Sequence, residues 1–186
     1  MNDYKKNKKI SLTFLDKNRT PLINKKKQTS KQKVINQKID DFTAEGFDNI
    51  ILAGHSSGVW ASINLKSRYP KKIKGVIAFQ LAFAGKIKSR KSNPFWEEVK
   101  NYGISLINVS TLKNILVYVH EKDVFENTKT LSFLSNLKTV KFIDLSDTKC
   151  KGKVMHGGHH GITLTKCFAD EDNRSGEITK YLEEIY

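Results

Sequence analysis

Asp48-Asn49-Ile50-Ile51-Leu52-Ala53-Gly54-His55-Ser56-Ser57-Gly58 decides how the rest of the chain is read. A short apolar run bounded by polar residues predicts a buried parallel strand over 48–53. It leads straight into G-x-S-x-G, and Val59-Trp60-Ala61-Ser62-Ile63-Asn64-Leu65 then resumes a helical pattern. Strand, tight turn and helix in that order lift a serine hydroxyl above the end of a sheet. Gly54 and Gly58 suit such a turn, since neither has a Cβ to obstruct a sharp bend or a close backbone approach. The N–H of Ser57 falls at the helix start, free to bind an oxyanion. Ser56 is the candidate nucleophile and Ser57 the candidate oxyanion donor.

A serine hydroxyl is a poor nucleophile at neutral pH and needs a base, which in turn needs an acid to fix its tautomer. Lys113-Asn114-Ile115-Leu116-Val117-Tyr118-Val119-His120 is a β-rich run that breaks into Glu121-Lys122-Asp123. An acid just past a strand's C-terminal end lies on the rim where α/β sheets build their sites. Asp123 is the candidate acid, with Glu121 and Glu126 as competitors. A further β-like run, Thr139-Val140-Lys141-Phe142-Ile143-Asp144-Leu145, precedes His156-Gly157-Gly158-His159-His160-Gly161, which holds three of the five histidines. A histidine in a mobile, Gly-rich loop after the last strand can reach the serine. His160 is preferred as base because Gly161 follows it, with His159 as its rival.

With these residues the chain resembles the α/β-hydrolase superfamily, in particular its small esterase-like members related to dienelactone hydrolases. The resemblance rests on Gly54-His55-Ser56-Ser57-Gly58, the strand ending near Asp123 and the late His160-Gly161, and covers roughly residues 45–186. It implies acyl transfer: Ser56 attacks an ester carbonyl, His160 shuttles the proton, Asp123 orients His160, and water hydrolyses the acyl-enzyme. It also implies a small-molecule ester as partner, with no metal or organic cofactor. One departure is plain. The superfamily's second oxyanion donor comes from a loop after an earlier strand, and nothing before Ser56 matches it. Asn18 or a backbone N–H within 17–22 is the substitute the chain offers. Losing one such donor costs about 10² to 10³ in turnover, so a catalytically impaired hydrolase-fold protein is the first alternative.

Five candidate strands, 10–15, 48–53, 73–80, 114–119 and 139–145, alternate with helical stretches. That predicts an α/β fold with a mostly parallel sheet of about five strands and flanking helices. Beside the larger relatives, the resemblance implies a minimal or N-terminally shortened version. At 186 residues a single domain over 1–186 is expected, with 1–33 as a basic, partly flexible segment. A basic stretch from Lys25 to Lys33 runs into Val34, Ile35, Ile39 and Phe42 at helical spacing, closed by Glu45-Gly46. The helix after Ser56 should end at Pro70, and 177–185 reads as an amphipathic C-terminal helix. Residues 81–112 break the rhythm, and Phe83 and Trp96 there, with His55, are the candidate substrate-binding residues.

Of the formal charge of +14, +9 lies in residues 1–40, which hold 12 Lys/Arg against 3 Asp/Glu. This reads as a solvated basic segment: no zinc-finger, RNP or KH signature marks a nucleic-acid surface. No run is long enough for a membrane span, and the N-terminal apolar run is too short for a signal peptide, so a cytoplasmic location is expected. No oligomeric state is read from the sequence. Cys150 and Cys167 bracket the histidine loop as C-x5-H-x2-H-H-x6-C. Two free thiols are the expectation. The alternatives are a disulfide pinning the loop, and a zinc site that would make the chain a basic module with a metal-binding His/Cys loop; for zinc the usual close cysteine pair is missing.

Overall fold

Alternate residues of the strands point into two separate cores, which is the pattern of a sheet covered on both faces. In the computed structural model, which describes residues 25–155, 159–170 and 173–186, four parallel strands lie in the order β1-β2-β3-β4. They are β1 (Ile50–Ser56), β2 (Ile73–Leu81), β3 (Ile115–Val119) and β4 (Val140–Asp144). Val76, Ala78, Ile115, Val117 and Val119 face one core, with Val59, Trp60 and Ile63 of α2 (Ser57–Arg68) and Leu134 of α5 (Ser132–Ser135). Ile77, Leu116 and Tyr118 face the other, with Phe168 of α6 (Lys166–Asp170) and Tyr181 of α7 (Arg174–Ile185). The α/β architecture with a parallel sheet is therefore present. The sheet has four strands among the described residues rather than five, because the expected strand 10–15 lies outside them, as does Asn18.

β1 was expected to be buried, yet it lies at one edge of the described sheet, opposite β4, and its Ala53 is exposed. It also runs to Ser56 instead of stopping at residue 53. α1 (Lys25–Ala44) packs Ile39 with Ile50, Leu65 and Ile73 beside that edge, while Val34 faces solvent. The helix stops where glycine permits it. Gly46 has φ +89°, Phe47 N–H reaches Phe42 C=O at 2.9 Å and Gly46 N–H reaches Thr43 C=O at 3.1 Å. That is a Schellman closure, sealed by the Phe42 and Phe47 rings at 5.7 Å.

The excursion after β2 forms α3 (Ile87–Ser92) and α4 (Pro94–Ser105). Asn93 caps α4 by accepting the Phe95 N–H at 3.1 Å, and Pro94 needs no partner for the N–H it lacks. After β4 the chain makes a small antiparallel hairpin, β5 (Lys149–Cys150) with β6 (Lys153–Val154). Lys151 and Gly152 both have positive φ, the geometry of a tight two-residue turn. Cys150 of that hairpin is bonded to Cys167 of α6, so the expected free thiols are in fact a disulfide. Such bonds persist in oxidising surroundings and are rare in the cytosol, which sets them against the expected cytoplasmic location. Among the described residues no helix is long and apolar enough to cross a membrane.

Two glycines of the motif play unequal parts. A Cβ on Gly54 would lie 2.7 Å from Gly58 C and from Val59 N, both backbone atoms, whereas one on Gly58 would meet nothing within 4 Å. Gly54→Ala is expected to destabilise by about 2–3 kcal/mol, while Gly58→Ala changes stability by less than about 1 kcal/mol. Thermal melts of both variants check this. The Cys150–Cys167 bond closes a separation of 17 residues, so Cys150→Ser with Cys167→Ser should cost about 3 kcal/mol, read from urea midpoints.

Candidate active site

Three strand ends supply the residues. β1 ends at Ser56, whose φ of 57° and ψ of −122° turn the chain abruptly into α2. Few non-glycine residues adopt such angles, and they persist where the surrounding structure over-determines them. Here the close Gly54–Gly58 approach and the buried face of α2 do so. Beyond β3, His120 C=O accepts the Asp123 N–H at 2.9 Å in a tight turn. Beyond β4 and the hairpin, a 3-10 turn (His159–Leu164) carries His160.

The His160 ring lies between Ser56 and Asp123. Its Nδ1 is 2.8 Å from Asp123 Oδ2 and its Nε2 is 3.1 Å from Ser56 Oγ. A carboxylate only accepts, so Nδ1 carries the proton and Nε2 presents its lone pair to the Ser56 hydroxyl. Asp123 is buried, and its second oxygen accepts the Phe125 N–H at 2.8 Å. The Phe125 ring covers the imidazole with centroids 4.4 Å apart. Sequence reading missed Phe125, and its place two residues after the acid was the only signal available.

The competitors have other partners. Glu126 is buried against Arg90, which donates from Nη1 at 2.9 Å and Nη2 at 3.2 Å, and against Lys100 Nζ at 3.2 Å. Arg90 also donates to the carbonyls of Ala84, Gly85 and Phe125, bracing the acid's loop against the excursion. Glu121 accepts from Thr128 Oγ1. His159 turns its ring to His120, centroids 4.2 Å apart, and not to Ser56. His156 lies outside the described residues.

His55, expected at the substrate, donates from Nε2 to the His160 carbonyl at 2.9 Å. Phe83 stacks on Trp60 at 3.9 Å, and Trp96 covers Gly85 and meets Phe95 edge-on. Among the described residues no hydrogen bond or ring contact joins Phe83 or Trp96 to Ser56, Asp123 or His160. The proposed zinc set is not assembled, because each cysteine sulfur is bonded to the other.

No protein-family model matches the chain, and no curated protein matches it in sequence. A solved structure described as an N-acyl homoserine lactone degrading enzyme superposes with a TM-score of 0.47 at 12% identity, over 77% of this chain and 73% of that one. A likeness that loose carries no argument about chemistry.

Burial pushes the pKa values of His55 and His120 below the usual histidine range. His120 is also faced by His159 and Lys122, which lower its pKa, and by Asp144 and Asp123, which raise it. Its Nδ1 accepts the Lys122 N–H at 3.0 Å and its Nε2 has no partner among the described residues. Both rings are neutral in the native state at a pH where the unfolded chain takes up protons. Stability should therefore be full above about pH 6.5 and fall as the pH drops below it, by up to about 1.4 kcal/mol per unit for each ring. Urea midpoints between pH 7.5 and 5.5 measure this, and His120→Asn should flatten the slope.

Proposed function

We propose that this chain is a serine hydrolase cleaving a carboxylic ester or similar acyl bond of a small molecule. The observation that carries the reading is the single imidazole of His160, hydrogen-bonded at once to Ser56 Oγ and Asp123 Oδ2. As Oγ attacks the carbonyl carbon, His160 Nε2 takes its proton, and Asp123 stabilises the imidazolium through Nδ1–H. The carbonyl oxygen becomes an oxyanion beside the Ser57 N–H at the start of α2, where the helix leaves its first amides unpaired. Collapse of the tetrahedral intermediate breaks the acyl–oxygen bond, and His160 Nε2–H protonates the departing alcohol. Water, deprotonated by His160, then attacks the acyl-enzyme, and the acid leaves with Ser56 regenerated.

A fluorophosphonate probe, with the modified peptide located by mass spectrometry, tests this. Labelling should fall on Ser56, vanish in Ser56→Ala and drop about 10³-fold or more in His160→Ala. Asp123→Asn, which sets the wrong tautomer, should slow ester turnover by a similar factor. A folded chain that takes up no probe would overturn the reading and leave a catalytically impaired hydrolase-fold protein.

A further inference from the structure

Gln80 is the penultimate residue of β2, a polar side chain among Val76, Ile77, Ala78, Phe79 and Leu81, and it is 1% exposed. Its φ is +50°, a left-handed backbone that glutamine rarely adopts. Both polar atoms of the side chain that this backbone delivers are engaged. Nε2 donates to the His159 carbonyl, and Oε1 accepts the Thr163 N–H at 3.2 Å and the Thr163 hydroxyl at 2.9 Å. One carboxamide thus spans the 3-10 turn from its first residue to its fifth, with His160 inside the span. From the neighbouring strand, His55 Nε2–H holds the next carbonyl, that of His160 itself, at 2.9 Å.

We infer that Gln80, assisted by His55, is the positioning residue for the His160 base: it sets the main chain of the turn so that the imidazole reaches Ser56 and Asp123 together. The inference rests on the serine hydrolase reading for its catalytic consequence, but not for its geometry. Among the described residues Gln80 makes no hydrogen bond to the His160 ring, Ser56 or Asp123; its bonds go to the His159 carbonyl and to Thr163, so it acts through the turn's own chain. The turn needs such a holder because its residues contribute little to the cores: Ile162 is buried, but Leu164 is 70% exposed. The disulfide fixes the flanks of this segment at Cys150 and Cys167. Within the turn itself, Gln80 and His55 hold the carbonyls of His159 and His160, and Gln80 also holds Thr163. Misplacing a reacting group by about 1 Å can cost on the order of 10² in rate, so a clamp on main-chain atoms is enough to matter.

Gln80→Glu keeps the side chain's shape but turns the donor at the His159 carbonyl into a repelling oxygen. Gln80→Gly removes the carboxamide while relieving the left-handed backbone, and it carries the test alone if the glutamate variant does not fold. Both should lower kcat for a p-nitrophenyl ester about 10- to 100-fold, with KM within about twofold and the probe's labelling of Ser56 slowed in parallel. A second readout needs no turnover. The proton on His160 Nδ1, bonded to Asp123, should give a low-field proton NMR resonance in the unaltered chain, identified by its loss in Asp123→Asn. It should broaden or disappear in both Gln80 variants. Folded Gln80 variants with an unchanged kcat and an unchanged resonance would overturn the inference. If the unaltered chain is inert to the probe, the hydrolase reading fails by itself, and the resonance alone decides what Gln80 does.

Discussion

The constraint on which the site depends is the backbone reversal at Ser56. At φ 57° and ψ −122° the chain passes from β1 to α2 without an intervening loop, and Gly54 lets the first turn of α2 come down onto the strand. Such a conformation costs about 1–3 kcal/mol. It is offset by what lies on either side: β1 paired with β2 from Ile50 to Ser56, with register shifts at Ile50/Ile51 and His55/Ser56, and Val59, Trp60 and Ile63 buried on the sheet. Three successive residues then point at three different tasks. His55 reaches the His160 carbonyl, Ser56 reaches the His160 ring, and Ser57 opens the helix.

Parallel strands make this convergence possible, because all four C-terminal ends lie on one edge of the sheet. β1 delivers Ser56 and His55, β2 delivers Gln80, and the turn after β3 delivers Asp123. The imidazole is the exception: it arrives from a 3-10 turn well past β4, beyond a hairpin. A segment so far from the ladder has to be tied back, and the disulfide and the two side-chain donors from β1 and β2 are the ties.

The parts legible in the sequence were those governed by local pattern. Apolar runs at 73–80, 114–119 and 139–145 correspond to β2, β3 and β4 within a residue or so: burial on both faces leaves a near-continuous hydrophobic signature in the central strands β2 and β3, and the edge strand β4 keeps Val140, Phe142 and Ile143 apolar while Lys141 and Asp144 are exposed. The edge position of β1 was not legible, because Ile50-Ile51-Leu52-Ala53 reads like a central strand and its half-exposure depends on which neighbours pair with it. Gln80 and Phe125 escaped for the same reason. Their partners are 79 and 35 residues away in sequence, and no spacing rule links a strand-end glutamine to a histidine turn. The hairpin Lys151-Gly152 carries a turn signal, but strands of two residues are too short to show alternation.

Asp123 and Glu126 illustrate how environment divides like residues. Both are buried carboxylates in one short loop, three positions apart, and sequence alone offers either as partner to a histidine. The division is made by cations. Arg90 and Lys100, themselves buried, converge on Glu126 and occupy both its oxygens. Removing one member of such a group would leave an uncompensated charge at a cost of about 3–5 kcal/mol, so Glu126 is committed to holding α3 and α4 against the loop. Among the described residues no Lys or Arg is paired with Asp123; one oxygen takes a backbone N–H and the other takes His160 Nδ1. A carboxylate already neutralised by a guanidinium would have little left with which to stabilise an imidazolium. Keeping the two fixed cations on Glu126 is what leaves Asp123 electrostatically available to His160.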